Sequence, residues 1–428
     1  MSINTAMNTG VSGMTAEGEA LGVIGDNVAN TNTIGFKQSR ALFEDVLGGA
    51  MGSRSPGSGV RMSRTQQIFA QGSLLNTGQA TDLALSGDGF FVVSGTVDGL
   101  TGDFYTRAGQ TVLANDGKLV SPAGLSLLGY TVNTDGTFGP ATGPVQVSTA
   151  ALAPKATSTL TVTANLDASA TIPTGTWDPQ NPTATSNFST SLNVYDSLGA
   201  AHAVNVYFVQ TAAGTWDYHA LVDGGEVVGG TAGQNTDIAS GTLSFTSDGA
   251  LQSVTPSGGG TVDFNGATPA QVLDFDFGTS IANGGTGLGG TTGFSAPSSI
   301  SSQGQDGYSS GSFTGIQIDS TGVVNGVYSN GQKVPVSQLV LAKFRSNDGL
   351  GRAGHNLWVA TRESGDAALG AAGSGGRPAI IAGALEQSNV DIAQQFVDLI
   401  AHQRAFQANS KTITTADEML QEIMNLKR

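Results

Sequence analysis

The sequence predicts a mixed, mainly β protein. Two or more β-rich domains are nested in the chain, and heptad helices at its N- and C-termini pair as a coiled-coil inner domain. The first observation is that residues 384–428 contain no glycine or proline, although the 428-residue chain has 62 glycines and 13 prolines. The second is an apolar column at every seventh position, which is typical of a long helix with a narrow seam. The column consists of Leu385, Ile392, Leu399, Phe406, Ile413 and Leu420.

The N-terminal segment has a matching apolar pattern. Its members are Ile3, Met7, Met14, Leu21, Ile24 and Val28. Five glycines lie in the same segment, and each costs an isolated helix about 1 kcal/mol relative to alanine. This helix is therefore expected to need a packing partner. We predict that the two ends pair with each other and drive self-association; an ordinary amphipathic helix on a domain core is the alternative.

The segments between the terminal helices show strand and turn patterns, apart from a possible short helix at residues 36–47. The turn Asn115-Asp116-Gly117 lies between Leu113 and Leu119, which predicts a β-hairpin. Farther along, Val204, Val206 and Phe208 alternate with other residues, as on the buried face of a strand.

Composition and turn clusters divide the chain into nested parts. We expect a terminal helical assembly domain at residues 1–32 and 384–428, with connecting segments at 33–70 and 366–383. The inner β domain is expected at residues 71–150 and 305–365, and an inserted outer β domain at 151–304. Residues 367–378 are rich in glycine, alanine and serine, which predicts a flexible linker.

Charge and composition narrow the classes of partner. The formal net charge is −15, so neither nucleic acid nor anionic lipid is an expected partner. The chain has no cysteine, which excludes disulfides and thiolate zinc sites. No apolar run is long enough to span a membrane, and no basic segment precedes Lys37, so we expect neither membrane insertion nor a cleaved signal peptide.

Motifs that would indicate catalysis occur in the wrong context. Residues 285–290 match G-x-G-x-x-G, but no helix pattern follows to receive a pyrophosphate. Residues 307–311 match G-x-S-x-G, but a strand pattern follows where a nucleophile elbow needs a helix. The four histidines have no metal-ligand spacing. We therefore expect no cofactor, no metal site and no enzymatic activity.

Two long segments resemble the signatures of the bacterial flagellar rod and hook proteins. The N-terminal signature runs from Leu21 to Lys37 and includes Asn27, Asn30, Gly35 and Phe36. The C-terminal signature includes Ser388, Asn389, Val390 and Asp391, followed by Gln403 and Arg404. Residues 66–72 and 106–109 are similar to the same family.

The resemblance implies a structural subunit of the flagellar hook, which self-assembles into a curved, flexible tube that joins rod to filament and transmits torque. The distal rod protein is the alternative within the family, and a secreted β-rich adhesin or glycan-binding protein is the alternative outside it. The implied partners are other copies of the chain, rod and hook–filament junction proteins, the hook cap and the flagellar export apparatus. The implied location is extracellular, after export without a cleaved signal peptide.

Overall fold

The computed structural model describes residues 3–47, 57–133 and 135–426. The chain forms two compact units. The first contains Met1–Thr149, Gly315–Val327 and Lys333–Arg428, and the second contains Ala150–Thr314 and Tyr328–Gln332. Strands predominate, and long helices lie at the two ends and pair with each other. The predicted fold class is therefore confirmed.

The elements follow one another along the chain in three blocks. The first block is α1 (Ile3–Ala29), β1 (Ser39–Leu47), β2 (Gly57–Gln67), β3 (Leu74–Asn76), β4 (Leu83–Ser86), β5 (Phe90–Val97), β6 (Leu100–Thr106), β7 (Val112–Leu113), β8 (Leu119–Val120), β9 (Ser126–Val132) and β10 (Phe138–Pro144). The second block is β11 (Thr159–Asn165), α2 (Pro182–Thr185), β12 (Phe188–Tyr195), β13 (Ala201–Ala212), β14 (Thr215–Asp223), β15 (Asn235–Phe245), β16 (Leu251–Gly259), β17 (Thr261–Val262), β18 (Gln271–Val272), β19 (Asp274–Asp276) and β20 (Ser299–Gln305). The third block is β21 (Phe313–Ile318), β22 (Val323–Tyr328), β23 (Lys333–Lys343), β24 (Gly351–Gly354), β25 (Leu357–Val359), β26 (Ala368–Ala371), β27 (Ala379–Ala382), β28 (Ala384–Glu386) and α3 (Ile392–Leu426).

One large sheet forms the body of the first unit. Its main path is β21-β22-β23-β9-β5-β6-β25-β24, so three strands from the N-terminal half of the chain lie between strands from the C-terminal half. An aromatic cluster packs on this sheet, in which the ring of Phe90 lies 5.5–5.8 Å from those of Phe69, Phe344 and Trp358. The predicted hairpin at residues 113–120 is confirmed, because β7 pairs with β8.

Small ladders attach the terminal segments to this unit. β28 pairs with β3, β27 pairs with β4, and β1 pairs with β2 as a separate antiparallel ladder. The predicted short helix at residues 36–47 is therefore wrong, since Ser39–Leu47 is strand β1. The predicted flexible linker at 367–378 is also wrong in part, because β26 satisfies its backbone groups by pairing with β23.

The C-terminal helix begins later than the sequence pattern indicated. Leu385 was predicted to lie on it, but this residue is buried in strand β28. α3 begins only at Ile392, because Asp391 caps it: its Oδ1 accepts hydrogen bonds from the backbone N–H groups of Ala393 (2.8 Å) and Gln394 (3.2 Å). A segment without glycine or proline can still be extended, because polar side chains that form hydrogen bonds with the main chain compete with the helix.

Two of the three sheets in the second unit form its core. The antiparallel sheet β12-β13-β14-β15-β16 and the smaller sheet β19-β11-β20 contribute to a single hydrophobic core. Val204, Val206 and Phe208 are fully buried in this core, as the alternation of β13 predicted.

The partly buried carboxylate of Asp306 fixes the start of β11 in the second unit. Oδ1 of Asp306 accepts hydrogen bonds from the N–H groups of Ser158 (2.8 Å) and Thr159 (2.9 Å), and Oδ2 lies 2.8 Å from Nζ of Lys155. Partial burial opposes ionisation of Asp306, but these hydrogen bonds outweigh it and hold the pKa of the carboxyl well below its usual range.

We expect Asp306→Asn to lower the free energy of unfolding at pH 7 by about 1–2 kcal/mol, since ionised acceptors make the stronger hydrogen bonds. A carboxyl whose pKa is depressed by folding stabilises above its unfolded pKa of about 3.9 and loses that effect as pH falls toward its folded pKa. The gap between variant and wild type should therefore persist to about pH 4 and shrink at lower pH, as measured by urea unfolding at a series of pH values. Asp248→Asn, at an exposed turn, serves as the control; a gap that stays constant down to pH 2 would contradict the assignment.

Candidate functional site

The helices α1 and α3 pack against each other in antiparallel orientation. Gly10 lies beside Ile413 near one end of the pair, whereas Asn27 donates a hydrogen bond to Oε1 of Gln395 (2.9 Å) near the other. Between them, Nδ1 of His402 lies 2.5 Å from Oε2 of Glu17. The two ends of the chain thus form one helical hairpin within the first unit.

Small residues of α1 allow the close approach. A Cβ atom added to Gly10 would lie 2.9 Å from Cγ1 of Ile413, and one added to Gly13 would lie 2.6 Å from Nδ2 of Asn409. Neither distance leaves room for a side chain, which explains why weak helix formers occur here. The buried row of α1 is Gly10, Gly13, Ala16, Ala20, Ile24 and Asn27.

The predicted N-terminal column flanks this row. Met7, Met14, Leu21 and Val28, predicted from the seven-residue spacing, are half-buried, whereas Ile24, predicted to lie near their face, is buried. The side chain of Ile3, the first residue of α1, lies outside the described residues. The large apolar residues indicated the helix in the sequence, but the closest contacts with α3 are made by the small residues of α1.

The seam of α3 consists of two sets of positions, the predicted apolar column and a second set of polar or small residues. Leu399, Ile413 and Leu420 are half-buried along it, and Phe406 is 37% exposed. Polar or small residues alternate with these positions at four- and three-residue steps: Gln395, His402, Asn409 and Ala416. The sequence pattern missed this second half because three of its four members are polar, although their 4-3 spacing could have revealed it.

α3 also carries apolar side chains that do not face α1. Phe396 is 51% exposed, Val397 61% and Ile400 50%. Ile392, a predicted seam residue, is 46% exposed at the first position of the helix. Gln403 and Arg404 of the family signature are exposed on the following turn. A single chain therefore leaves one apolar face of α3 open to solvent.

A buried ionic junction attaches both helices to the β body of the first unit. Oε1 of Glu386 lies 2.6 Å from Nζ of Lys37, and Oε2 lies 3.2 Å from Nη1 of Arg107. The three side chains are 0% exposed. Nζ of Lys37 also donates to the carbonyl of Ala70 (2.7 Å), and Glu386 Oε1 accepts from the N–H of Gly72 (2.9 Å).

Electrostatics at the junction is unbalanced, because two cations share one buried carboxylate. Burial lowers the pKa of Lys37 and the pKa of Arg107, and the charge of Glu386 opposes both shifts. Nε and Nη2 of Arg107 are buried without a hydrogen-bond acceptor among the described residues, and the nearest further anion is Asp88, 4.0 Å away and largely exposed. The guanidinium lies over the ring of Phe90, 5.4 Å from its centroid.

The signature residue Asn27 connects three segments. Its Nδ2 donates to the carbonyl of Ser39 (2.7 Å) as well as to Gln395, and its Oδ1 accepts from the N–H of Ser39 (2.8 Å). Because Asn27 is buried, each of these hydrogen bonds satisfies a group that water cannot reach. Asn27 therefore fixes α1 to β1 and α3 together.

Asn389 has a similar role in the C-terminal segment. Its Oδ1 accepts from the N–H of Gln38 (2.7 Å), and its Nδ2 donates to the carbonyls of Ile68 (2.8 Å) and Ala70 (3.0 Å). Beside it, Oγ of Ser388 accepts from the N–H of Val390 (3.4 Å). These contacts hold residues 388–391 in the turn that precedes α3.

The remaining N-terminal signature residues shape the exit from α1. Nδ2 of Asn30 donates to the carbonyl of Asp26 (2.9 Å), and Phe36 is buried. Gly35 has φ +70°, its N–H donates to the carbonyl of Glu386 (2.7 Å), and an added Cβ would lie 2.6 Å from the backbone nitrogen of Ala108. Only glycine fits this conformation and this space.

The sequence interpretation did not select the ionic junction as a site. Lys37, Arg107 and Glu386 each lie in a segment that resembles the family, in a chain in which only 12% of residues are charged. Two of these segments carry a positive residue and the third carries a negative one. This pairing of opposite charges was the signal in the sequence that could have indicated the junction. Within the described ranges, no group of three metal-binding side chains occurs and no helix is long and apolar enough to cross a bilayer.

Three family models match the chain. They are "Flagella basal body rod protein" at residues 7–37, "Flagellar basal body protein FlaE D2 domain" at residues 165–308 and "Flagellar basal body rod FlgEFG protein C-terminal" at residues 381–426. The first and last cover most of the helical hairpin together with Lys37 and Glu386 of the junction, and the second covers most of the second unit.

The chain is similar to flagellar hook proteins over nearly its whole length. It is 37% identical over 425 residues to flagellar hook protein FlgE of Salmonella typhimurium, covering 97% of the chain and 98% of the relative. The match to FlgE of Escherichia coli K12 is 36% over 427 residues (99% and 100%), and that to FlgE of Treponema pallidum is 33% over 468 residues (98% and 99%).

A solved structure agrees at the level of the fold. The crystal structure of Helicobacter pylori flagellar hook protein FlgE2 matches with a TM-score of 0.50 and 15% identity, covering 72% of this chain and 98% of that one. Together with the near full-length relatives, this agreement confirms the resemblance that the terminal signatures indicated: the chain belongs to the flagellar hook protein family.

Proposed function

We propose that this hook subunit polymerises through the open faces of its terminal helical hairpin, which form the inner wall of a curved, flexible tube that joins rod to filament. Self-polymerisation next to the rod follows from the family. The finer statement, that α1 and α3 carry the contacts between copies, is supported by one observation above all. Phe396, Val397 and Ile400 remain exposed on α3 although the opposite face of the helix is packed on α1.

The free energy gained by burying apolar side chains favours a second copy of the chain as the partner that covers the open face of α3. Each large apolar side chain that becomes buried contributes about 1.5–3 kcal/mol, and a polymer repeats the gain at every subunit. The pairing of α1 with α3 alternates apolar residues with glycine, alanine and polar residues, so it buries less apolar surface than a seam of large apolar residues alone would. Copies of the hairpin are therefore expected to stabilise one another more than each stabilises itself.

The two β-rich units suit the outside of such a tube. We propose an inner β domain and an inserted outer β domain, with the boundaries expected from the sequence, whose polar, glycine-rich surfaces slide during bending while torque is transmitted. Contacts that bury little apolar surface are weak individually and exchange readily. The specific partners proposed are rod proteins, hook–filament junction proteins, the hook cap and the export apparatus.

We propose an extracellular location after export as an unfolded chain. The glycines of α1 support this, since a helix that is unstable alone stays unstructured until it finds its partner. The absence of cysteine is compatible with passage between compartments of different redox state. We propose no catalytic role, in line with the structural family to which the chain belongs.

Removal of the helices alone should abolish assembly and leave the β units folded. A chain that spans residues 30–391 keeps Lys37, Arg107 and Glu386, so the buried ionic junction remains complete. We expect a stable monomer, measured by analytical ultracentrifugation and electron microscopy, under conditions in which the full chain forms tubes. Tubes formed by the shortened chain would overturn the proposed role of the helices.

A pair of substitutions on α3 separates the two faces of the helix. Ile400→Ala changes the open face, so we expect an unchanged melting temperature of the monomer and a critical concentration for polymerisation raised at least tenfold. Phe406→Ala changes the seam position toward α1; this change costs about 3–5 kcal/mol at a fully buried site, and less is expected at this partly exposed one. It should weaken assembly and also the order of the helical hairpin.

The exposed Thr412→Ser on the same helix is the matched control. Circular dichroism and light scattering report on the two effects separately. If Ile400→Ala polymerises like the wild type, the open face is not a contact between copies. If Phe406→Ala lowers the melting temperature of the β units, α3 belongs to their core and the alternative of an ordinary amphipathic helix is correct.

A further inference from the structure

The sulfur atoms of this chain are confined to its terminal segments. All seven methionines lie within residues 1–62 and 384–428, which make up a quarter of the sequence, and cysteine is absent. Between Met62 and Met419 the chain therefore contains no sulfur. Sulfur-containing side chains are the common targets of oxidants in proteins, so oxidation of this chain is directed to its two ends.

Five of these methionines lie among the described residues, and none of the five is buried. On the last turns of α3, Met419 is 48% exposed and Met424 is 73% exposed. Met7 and Met14 are half-buried on α1, beside the row of small residues that approaches α3. Met62, on β2, is half-buried and lines a groove against α1. An oxidant dissolved in water therefore reaches these sulfurs in an unassembled subunit, whether or not its helices are paired.

Methionine suits a contact that forms only on assembly. Its unbranched, polarisable side chain adapts to irregular gaps, so the same residue packs well in more than one environment. The thioether is apolar only while it is reduced. Oxidation makes the side chain polar, and burial of a polar group without a hydrogen-bond partner is unfavourable. A sulfoxide therefore opposes the burial that assembly requires.

We propose that these methionines make assembly redox-sensitive: oxidation of the unassembled subunit to methionine sulfoxide prevents its incorporation into the polymer. This inference rests on the proposed role of the helices as contacts between copies. The sensitive residues are Met7, Met14, Met62, Met419 and Met424.

The reaction needs only a peroxide as the oxidant. The sulfur lone pair attacks one peroxide oxygen, and the S–O bond forms as the O–O bond breaks. The proton on the attacked oxygen moves to the leaving oxygen, so hydrogen peroxide yields the sulfoxide and water. Sulfur is oxidised and the peroxide is reduced. A methionine sulfoxide reductase reverses the change.

Assembly itself protects the same sulfurs. If α1 and α3 form the inner wall of a tube, their exposed methionines lose contact with solvent when neighbouring copies cover them. Susceptibility of methionine to oxidation follows its exposure. Oxidation therefore selects against free subunits and leaves subunits that are already in the polymer unchanged.

Treatment of the full-length subunit with hydrogen peroxide before polymerisation tests the inference. Mass spectrometry measures the sulfoxide at each methionine, and light scattering with electron microscopy measures assembly. We expect the critical concentration to rise about tenfold or more, the range for burial of one or more unpaired polar groups. Reductases for both sulfoxide epimers should restore it. In tubes treated after assembly, Met419 and Met424 should be oxidised about tenfold more slowly than in the free subunit.

A variant with leucine at all five positions separates the sulfur from the packing. Leucine keeps the apolar character and nearly the volume of methionine, so the exchange is usually tolerated. We expect the variant to polymerise equally well with and without peroxide treatment. Met51→Leu, which keeps the five proposed sulfurs, is the matched control and should remain as sensitive as the wild type.

Two results would overturn the redox sensitivity. The first is normal polymerisation of wild-type subunits that carry sulfoxide at the five methionines. The second is equal inhibition of the leucine variant and the wild type by peroxide, because the target then lies elsewhere in the chain. If the leucine variant does not polymerise even without peroxide, the reductases decide: recovery of the oxidised wild type supports the inference, and no recovery overturns it.

The chain of residues 30–391 keeps this inference apart from the proposed function. Tubes formed by that chain would overturn the role of the helices, whatever effect peroxide has on the full-length subunit. If that chain forms no tubes but the oxidised full-length subunit polymerises normally, the redox sensitivity fails and the role of the helices stands.

Discussion

Burial of one carboxylate between two cations is the constraint on which the ends of this chain depend. Glu386 can reach Lys37 and Arg107 only if residues 384–386 are extended, and that strand in turn places the turn of residues 388–391. Asp391 then caps α3 and sets its first residue. The start of the C-terminal helix therefore depends on contacts made by the residues before it as well as on helix propensity.

Small and polar residues make the hairpin of α1 and α3 specific but not strong. Gly13 admits Asn409, and Asn27 bonds both Gln395 and the strand that follows the exit from α1. Such contacts define register, because an asparagine or glutamine shifted by one turn would lose its partner. Further large apolar groups, Phe396, Val397 and Ile400, lie on the open face of α3, where they add nothing to its packing on α1. Register within the helical pair thus depends on different residues from those that we propose to contact another copy.

Patterns with a local cause could be predicted from the sequence, and patterns with a distant cause could not. The hairpin around Asn115-Asp116-Gly117 and the buried face of β13 follow from neighbours within a few residues, and both were correct. Leu385 was assigned to the helix because its heptad spacing is a local signal, whereas the ladder that holds it is made with Leu75, far away in the chain. The same holds for Glu386, whose two ionic partners lie hundreds of positions earlier. The hook assignment was correct, with the rod alternative set aside by near full-length relatives, because family signatures contain such distant constraints implicitly.

The shared anchor has a mechanical consequence. Both helices leave the β body at one place. There the N–H of Gly35 donates to the carbonyl of Glu386, and the side chain of Glu386 pairs with Lys37. A twisting force on the hairpin reaches the β body in part through this clamp, and the hydrogen bonds of Asn27 to Ser39 add a second point of attachment for α1, so the two helices cannot swivel independently. The load is also shared among several short, buried bonds that must break together, which favours stiffness at the clamp.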